Sequence, residues 1–184
     1  MKRTHLNIKK LTLMAALTAA ALIIFIIEAQ VPLPIPVPGA KLGLANAITL
    51  FALFYSPKSS NTGKQQSAIN LTNTNALTIL LLRILVGAII TGRFLSLILS
   101  LSGGILSFAA MALTKKIVTN KQIGVCGAIG AIFHNIGQIL AAMLITGTAS
   151  IASYLPVLII IGIFTGTITG FIAQISLNRI NRKH

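Results

Sequence analysis

Apolar runs separated by short polar or basic stretches organise the whole chain. They cover residues 11–27, 42–55, 76–91, 94–113, 123–146 and 154–177. Most approach the ~20 apolar residues that cross a bilayer as a helix, and none alternates as a half-buried strand does. The pattern predicts an all-α integral membrane protein with about six transmembrane helices, in a single polytopic domain over residues 1–184. The first run follows Lys2, Arg3, Lys9 and Lys10 but is longer than a signal-peptide core and lacks a small-residue cleavage site, so a retained helix is expected. The second is short for a perpendicular span, which predicts a helix that begins below the membrane surface. Ser, Asn, Thr, Gln and two lysines dominate 56–75, as in a solvated, flexible linker.

Between the first two runs the pattern breaks. Pro32, Pro34, Pro36 and Pro38 at alternate positions fix φ and remove backbone donors, so this stretch is expected to run extended and to turn at Gly39. Backbone without helical hydrogen bonds is tolerated near hydrocarbon only where protein or water satisfies it. We read the proline-rich loop as the lid or wall of a binding site.

Small residues mark where helices approach closely. Gly162, Gly166 and Gly170 make two successive four-residue steps in the sixth run, and Gly124, Gly127 and Gly130 form a flat face on the fifth. In the first run Ala15/Ala19 and Ala16/Ala20 offer a similar face, for packing inside the protein or for docking a separate membrane partner. Gly92 and Arg93 predict a tight turn between the third and fourth runs.

Composition agrees with a bilayer environment: 55% hydrophobic, 9% charged, mean hydropathy +0.91, where soluble domains carry about 25% charged residues. Fifteen Lys and Arg oppose a single acid, Glu28. The cations cluster between apolar runs without interleaved aromatics, which excludes a nucleic-acid surface and sets the orientation. With both termini cytoplasmic, twelve fall in inside segments, Lys41 and Arg93 lie outside, and Arg83 is within the membrane. The lone Cys126 forms no intramolecular disulfide and is read as packing.

Ionisable groups at membrane depth need a partner or a polar cavity. Glu28 and Arg83 either form a structural ion pair, or Arg83, Lys41 and Arg93 give an outward-facing cavity a positive lining suited to a carboxylate or phosphate. His134, Asn135 and Gln138 are expected to share one side of the fifth helix and, with Asn46, to form a ligand-binding wall. Catalytic machinery is missing from the sequence. It has no Walker A motif, no aspartate for a triad or a Mg²⁺ cluster, and no metal-ligand spacing among His5, His134 and His184. The reading is a protein that binds and does not catalyse, with no cofactor and no metal.

Residues 32–46 (Pro-Leu-Pro-Ile-Pro-Val-Pro-Gly-Ala-Lys-Leu-Gly-Leu-Ala-Asn), 82–85 (Leu-Arg-Ile-Leu), 101–104 (Leu-Ser-Gly-Gly) and 134–138 (His-Asn-Ile-Gly-Gln) together resemble the bacterial membrane proteins called heptaprenyl diphosphate synthase component I, or the Gx transporter family. These in turn resemble the substrate-binding S components of energy-coupling-factor (ECF) transporters. The resemblance implies six helices, an outward-facing pocket closed by the first loop, and an alanine face on helix one meeting a transmembrane coupling subunit. Ala15, Ala16, Ala19 and Ala20 match that face. It also implies a place in the bacterial plasma membrane and ATPase subunits that energise import of a small solute, which the positive lining of the cavity leads us to expect to be anionic. The alternative is a non-catalytic accessory subunit of heptaprenyl diphosphate synthase in isoprenoid biosynthesis.

Overall fold

The computed structural model describes residues 2–31, 40–55, 71–119 and 122–182. Pro32, Pro34, Pro36, Pro38, Gly39 and most of the 56–75 linker lie outside the described residues. Among the described residues six α-helices follow one another: α1 (Lys2–Glu28), α2 (Asn46–Phe54), α3 (Asn73–Thr91), α4 (Phe94–Thr114), α5 (Ile123–Thr146) and α6 (Leu155–Arg182). No strand occurs among the described residues. All but α2 belong to segments long and apolar enough to cross a membrane, so this is a multi-pass membrane protein. Of the about six spans expected, five helices are long enough to cross, and the sixth is of roughly half length: at 1.5 Å per residue, the nine residues of α2 reach only about 13 Å.

Several boundaries differ from the apolar pattern for local reasons. Helix α3 starts at Asn73 rather than 76 because Thr72 and Asn75 form a capping box there, with the Asn75 Oδ1 accepting from the Thr72 backbone N–H at 3.0 Å. Residues 149–153, expected as loop, wind together with Tyr154, the expected start of the sixth run, into a 3-10 turn that leads into α6. Helix α2 starts at Asn46 and not at 42, because Gly43 takes a φ of +81° and breaks the helical path. The turn at Gly92 ends α3 as expected, with φ +63°.

Glycine faces set the densest contact. A Cβ at Gly166 would lie 2.5 Å from the Gly127 carbonyl oxygen, and one at Gly170 would lie 2.7 Å from the Gly124 Cα. The two glycine faces therefore meet backbone to backbone, joining α5 to α6. Gly137 plays the same part towards α4, where its Cβ would sit 2.8 Å from the Gly103 Cα.

Around the bundle α1 packs on α3, α3 on α4, α4 on α5 and α5 on α6, with α2 inside touching all five. Among the described residues the backbones of α1 and α6 stay more than 8 Å apart, Cα to Cα, so the wall is a ring with one opening. Leu53, Leu71, Ile79, Met111, Ile123 and Ala173 form a core at the end that holds the chain termini. There the Lys115 ammonium donates to the Leu53 carbonyl, supplying a cation where the C-terminus of α2 has bare carbonyls. Burial pushes the Lys115 pKa below its ordinary value.

Candidate functional site

Arg83 stands eight residues before the end of α3 and Gln138 eight before the end of α5. Both are about 12 Å inside their helix ends, and both hold the chain that enters α2. The carboxamide of Gln138 pairs twice with Lys41, accepting from its backbone N–H at 2.8 Å and donating to its carbonyl at 2.6 Å. Arg83 donates through Nη2 to Asn46 Oδ1 at 2.5 Å. Residues 40–46 are thus pinned at the depth of Arg83 and Gln138, the partly re-entrant course expected of this loop. The shortness of α2 follows, since a helix that starts midway needs to cross only half of the ~30 Å hydrocarbon layer.

Glu28, at the end of α1, completes the clamp. One carboxylate oxygen accepts the backbone N–H of Gly43 and, at 3.1 Å, that of Leu44. The turn then closes on itself as the Asn46 N–H donates to the Gly43 carbonyl at 2.9 Å. The direct Glu28–Arg83 ion pair, one of the two readings open from sequence, is replaced by an indirect one. Each side chain bonds the 43–46 turn instead, and it stands between them.

Packing fixes the rest. The Lys41 ammonium sits 3.0 Å above the centre of the Phe25 ring, a cation–π contact. Phe25 has room there because residue 87 is glycine, whose Cβ would lie 2.5 Å from the Phe25 Cε1. His134 lies against the Gly43 turn, where a Cβ would come within 2.7 Å of the imidazole Cδ2. Asn135 departs from the expected patch. One step round the helix from His134, it turns to α6 and donates to the Leu158 carbonyl at 2.6 Å. Arg93 is at the exposed rim, donating to the Ala29 carbonyl at 3.4 Å.

Glu28, Lys41, Asn46, Arg83, His134, Asn135 and Gln138 are each at most 7% exposed, so the cluster is shut off from solvent. Four of its atoms have no hydrogen-bond partner: Lys41 Nζ, Arg83 Nε, His134 Nδ1 and Asn135 Oδ1. The adjoining cavity, lined by Leu42, Gly43, Asn46, Gly127 and Thr165, measures about 10 Å³, space for about one water molecule. Two buried cations against one carboxylate leave an excess of positive charge that an anion would neutralise. Admission of anything larger than water requires residues 40–46 to move. On α1, Ala15, Ala16 and Ala19 are exposed and Ala20 is half-buried. Among the described residues no group of three or more His, Cys, Asp or Glu could hold a metal ion.

Sequence reasoning missed Ser107, which accepts from Asn46 Nδ2 at 3.4 Å, as well as Phe25 and Gly87 beneath Lys41. A helical serine and an apolar phenylalanine carry no signal of their own. The positive φ at Gly43 is the one feature a Gly two residues after Lys41 could have betrayed.

Residues 17–176 match the family model described as heptaprenyl diphosphate synthase component I. No curated protein and no solved structure matches the chain. The match spans most of the 184 residues and takes in the re-entrant segment together with Glu28, Arg83 and Gln138, which hold it. The chain belongs to the heptaprenyl diphosphate synthase component I family.

Proposed function

We propose that this chain is the membrane-embedded substrate-binding subunit of an ECF-type importer for a small, anionic solute, with residues 40–46 closing over the site. One observation carries the reading. Arg83 and Lys41 are buried in a cluster that holds a single carboxylate, and Arg83 Nε and Lys41 Nζ lack hydrogen-bond acceptors. A buried, uncompensated cation is costly, and a bound carboxylate or phosphate would remove that cost by accepting from both donors. The chain captures and does not react: it has no nucleotide motif, no aspartate and one glutamate already engaged with backbone. Energy must then come from separate ATPases through a coupling subunit. The exposed alanine face of α1 suits such a partner, since small side chains permit close helix approach. On this reading the protein lies in the bacterial plasma membrane with both termini cytoplasmic, as the distribution of basic residues favours.

The family name supports a second reading, a non-catalytic component of a prenyl diphosphate synthase that contacts a soluble, Asp-rich catalytic subunit. Purification of the tagged protein from its native membrane, followed by mass spectrometry of co-purifying proteins and small molecules, separates the two. Recovery of a coupling subunit, ATPases and an anionic solute that Arg83→Met fails to retain supports import. A prenyl synthase subunit without ATPases overturns it.

A further inference from the structure

The opening between α1 and α6 holds a groove of about 260 Å³. Ala47, Ile48 and Phe51 of α2 form its floor, Leu17 one wall, and Ser176 and Ile180 the other. The lining is apolar, since even the Ser176 hydroxyl is turned back on its own helix, donating to the Ile172 carbonyl at 2.8 Å. Both rims carry a cation towards the termini end. Lys10 stands seven residues before Leu17 on α1, and Arg179 stands three after Ser176 and seven after Ile172 on α6. Spacings of three and seven keep residues on one helix face, and Lys10 is half-buried whereas Lys9 is exposed.

The dimensions choose the occupant. From Ile172 to Ile180 the groove runs about 12 Å along α6, close to the ~15 Å hydrocarbon depth of one leaflet. Ala47 lines both this groove and the cavity of about 10 Å³, so the groove stops at the start of α2. A partner's transmembrane helix, about 10 Å across and running the ~30 Å of hydrocarbon, is far longer than this groove. A single hydrocarbon chain hung from a charged head matches its length. We propose that this groove binds one acyl chain of an anionic glycerophospholipid from the leaflet at the termini end, with the lipid phosphate between Lys10 and Arg179. The site is separate from the Arg83 cluster and stands whether or not that cluster binds a solute.

The full-length protein is placed in nanodiscs of phosphatidylglycerol or of phosphatidylcholine with identical chains, and the lipid retained after transfer to detergent is counted by native mass spectrometry. Phosphatidylglycerol is expected to be held more tightly, and Lys10→Gln and Arg179→Gln each to weaken its retention about fivefold while weakening that of phosphatidylcholine, whose choline offsets the phosphate charge, clearly less. Ser176→Phe, which fills the groove, lowers retention of both lipids; Ile172→Trp at the rim does the same if the first variant does not fold. Equal retention of the two lipids, or unchanged retention in a folded groove-filled variant, overturns the proposal.

Discussion

At Gln138 a single carboxamide gives the Lys41 backbone both of the hydrogen bonds that a helix would otherwise supply. Its replacement therefore strands a donor and an acceptor at once. Gln138→Leu is expected to lower stability by about 2–4 kcal/mol, since each unsatisfied buried group costs about 1–3 kcal/mol, and thermal unfolding in detergent reads the loss. Glu28→Gln keeps an oxygen for Gly43 and Leu44 and is expected to be much milder than Glu28→Leu in the same assay. An equal loss in both would mean that the charge, and not the acceptor, holds the turn. Gly43→Ala combines a left-handed φ with a contact 2.7 Å from His134. It is expected to destabilise by about 1–3 kcal/mol, and pairing it with His134→Ala is expected to recover only the steric part. Full recovery would show that φ +81° imposes no strain of its own.

Between helices, backbone proximity decides. Gly166→Leu places a branched side chain where the Gly127 carbonyl already stands, and the α5–α6 contact must open. A sharp loss of folded yield is expected, whereas Ile163→Leu, on the exposed side of the same helix, leaves yield unchanged. Equal yields would place the helix association elsewhere. This layer was legible in advance: glycines at four-residue spacing on one helix and three-residue spacing on its neighbour announce a close crossing, and apolar length announces the spans. The half-length of α2 was partly legible too, as a run too short to cross. The site was legible in its members and not in its pairings. Glu28, Arg83, His134 and Gln138 stand out because polar groups in apolar runs are costly. Yet the partners that Gln138 and Glu28 found are backbone N–H and C=O groups of residues 41, 43 and 44, and no letter of a sequence marks a backbone atom. Asn135 shows the same limit: adjacency to His134 implied a shared wall, while helical rotation of 100° per residue sent it to α6.

At the scale of the molecule the uneven distribution of cations makes a testable statement about orientation. In a variant lacking Cys126, cysteines introduced at the exposed positions Lys116 and Ser150 lie at opposite ends. An impermeant thiol reagent applied to intact cells is expected to label position 150 and spare 116. The reverse pattern would invert the protein and place the Arg83 cluster on the inner side. The incomplete ring of helices has a consequence for biosynthesis. As the chain is made, α4 enters beside α3, α5 beside α4 and α6 beside α5, so each late arrival finds its neighbour already waiting. Because α6 need not reach back to α1, no helix has to be inserted between two that are already packed. Only α1 must wait, with just the short α2 against it, until α3 emerges. During that interval the re-entrant segment has neither Arg83 nor Gln138 to hold it, so its burial waits until α5 has been delivered.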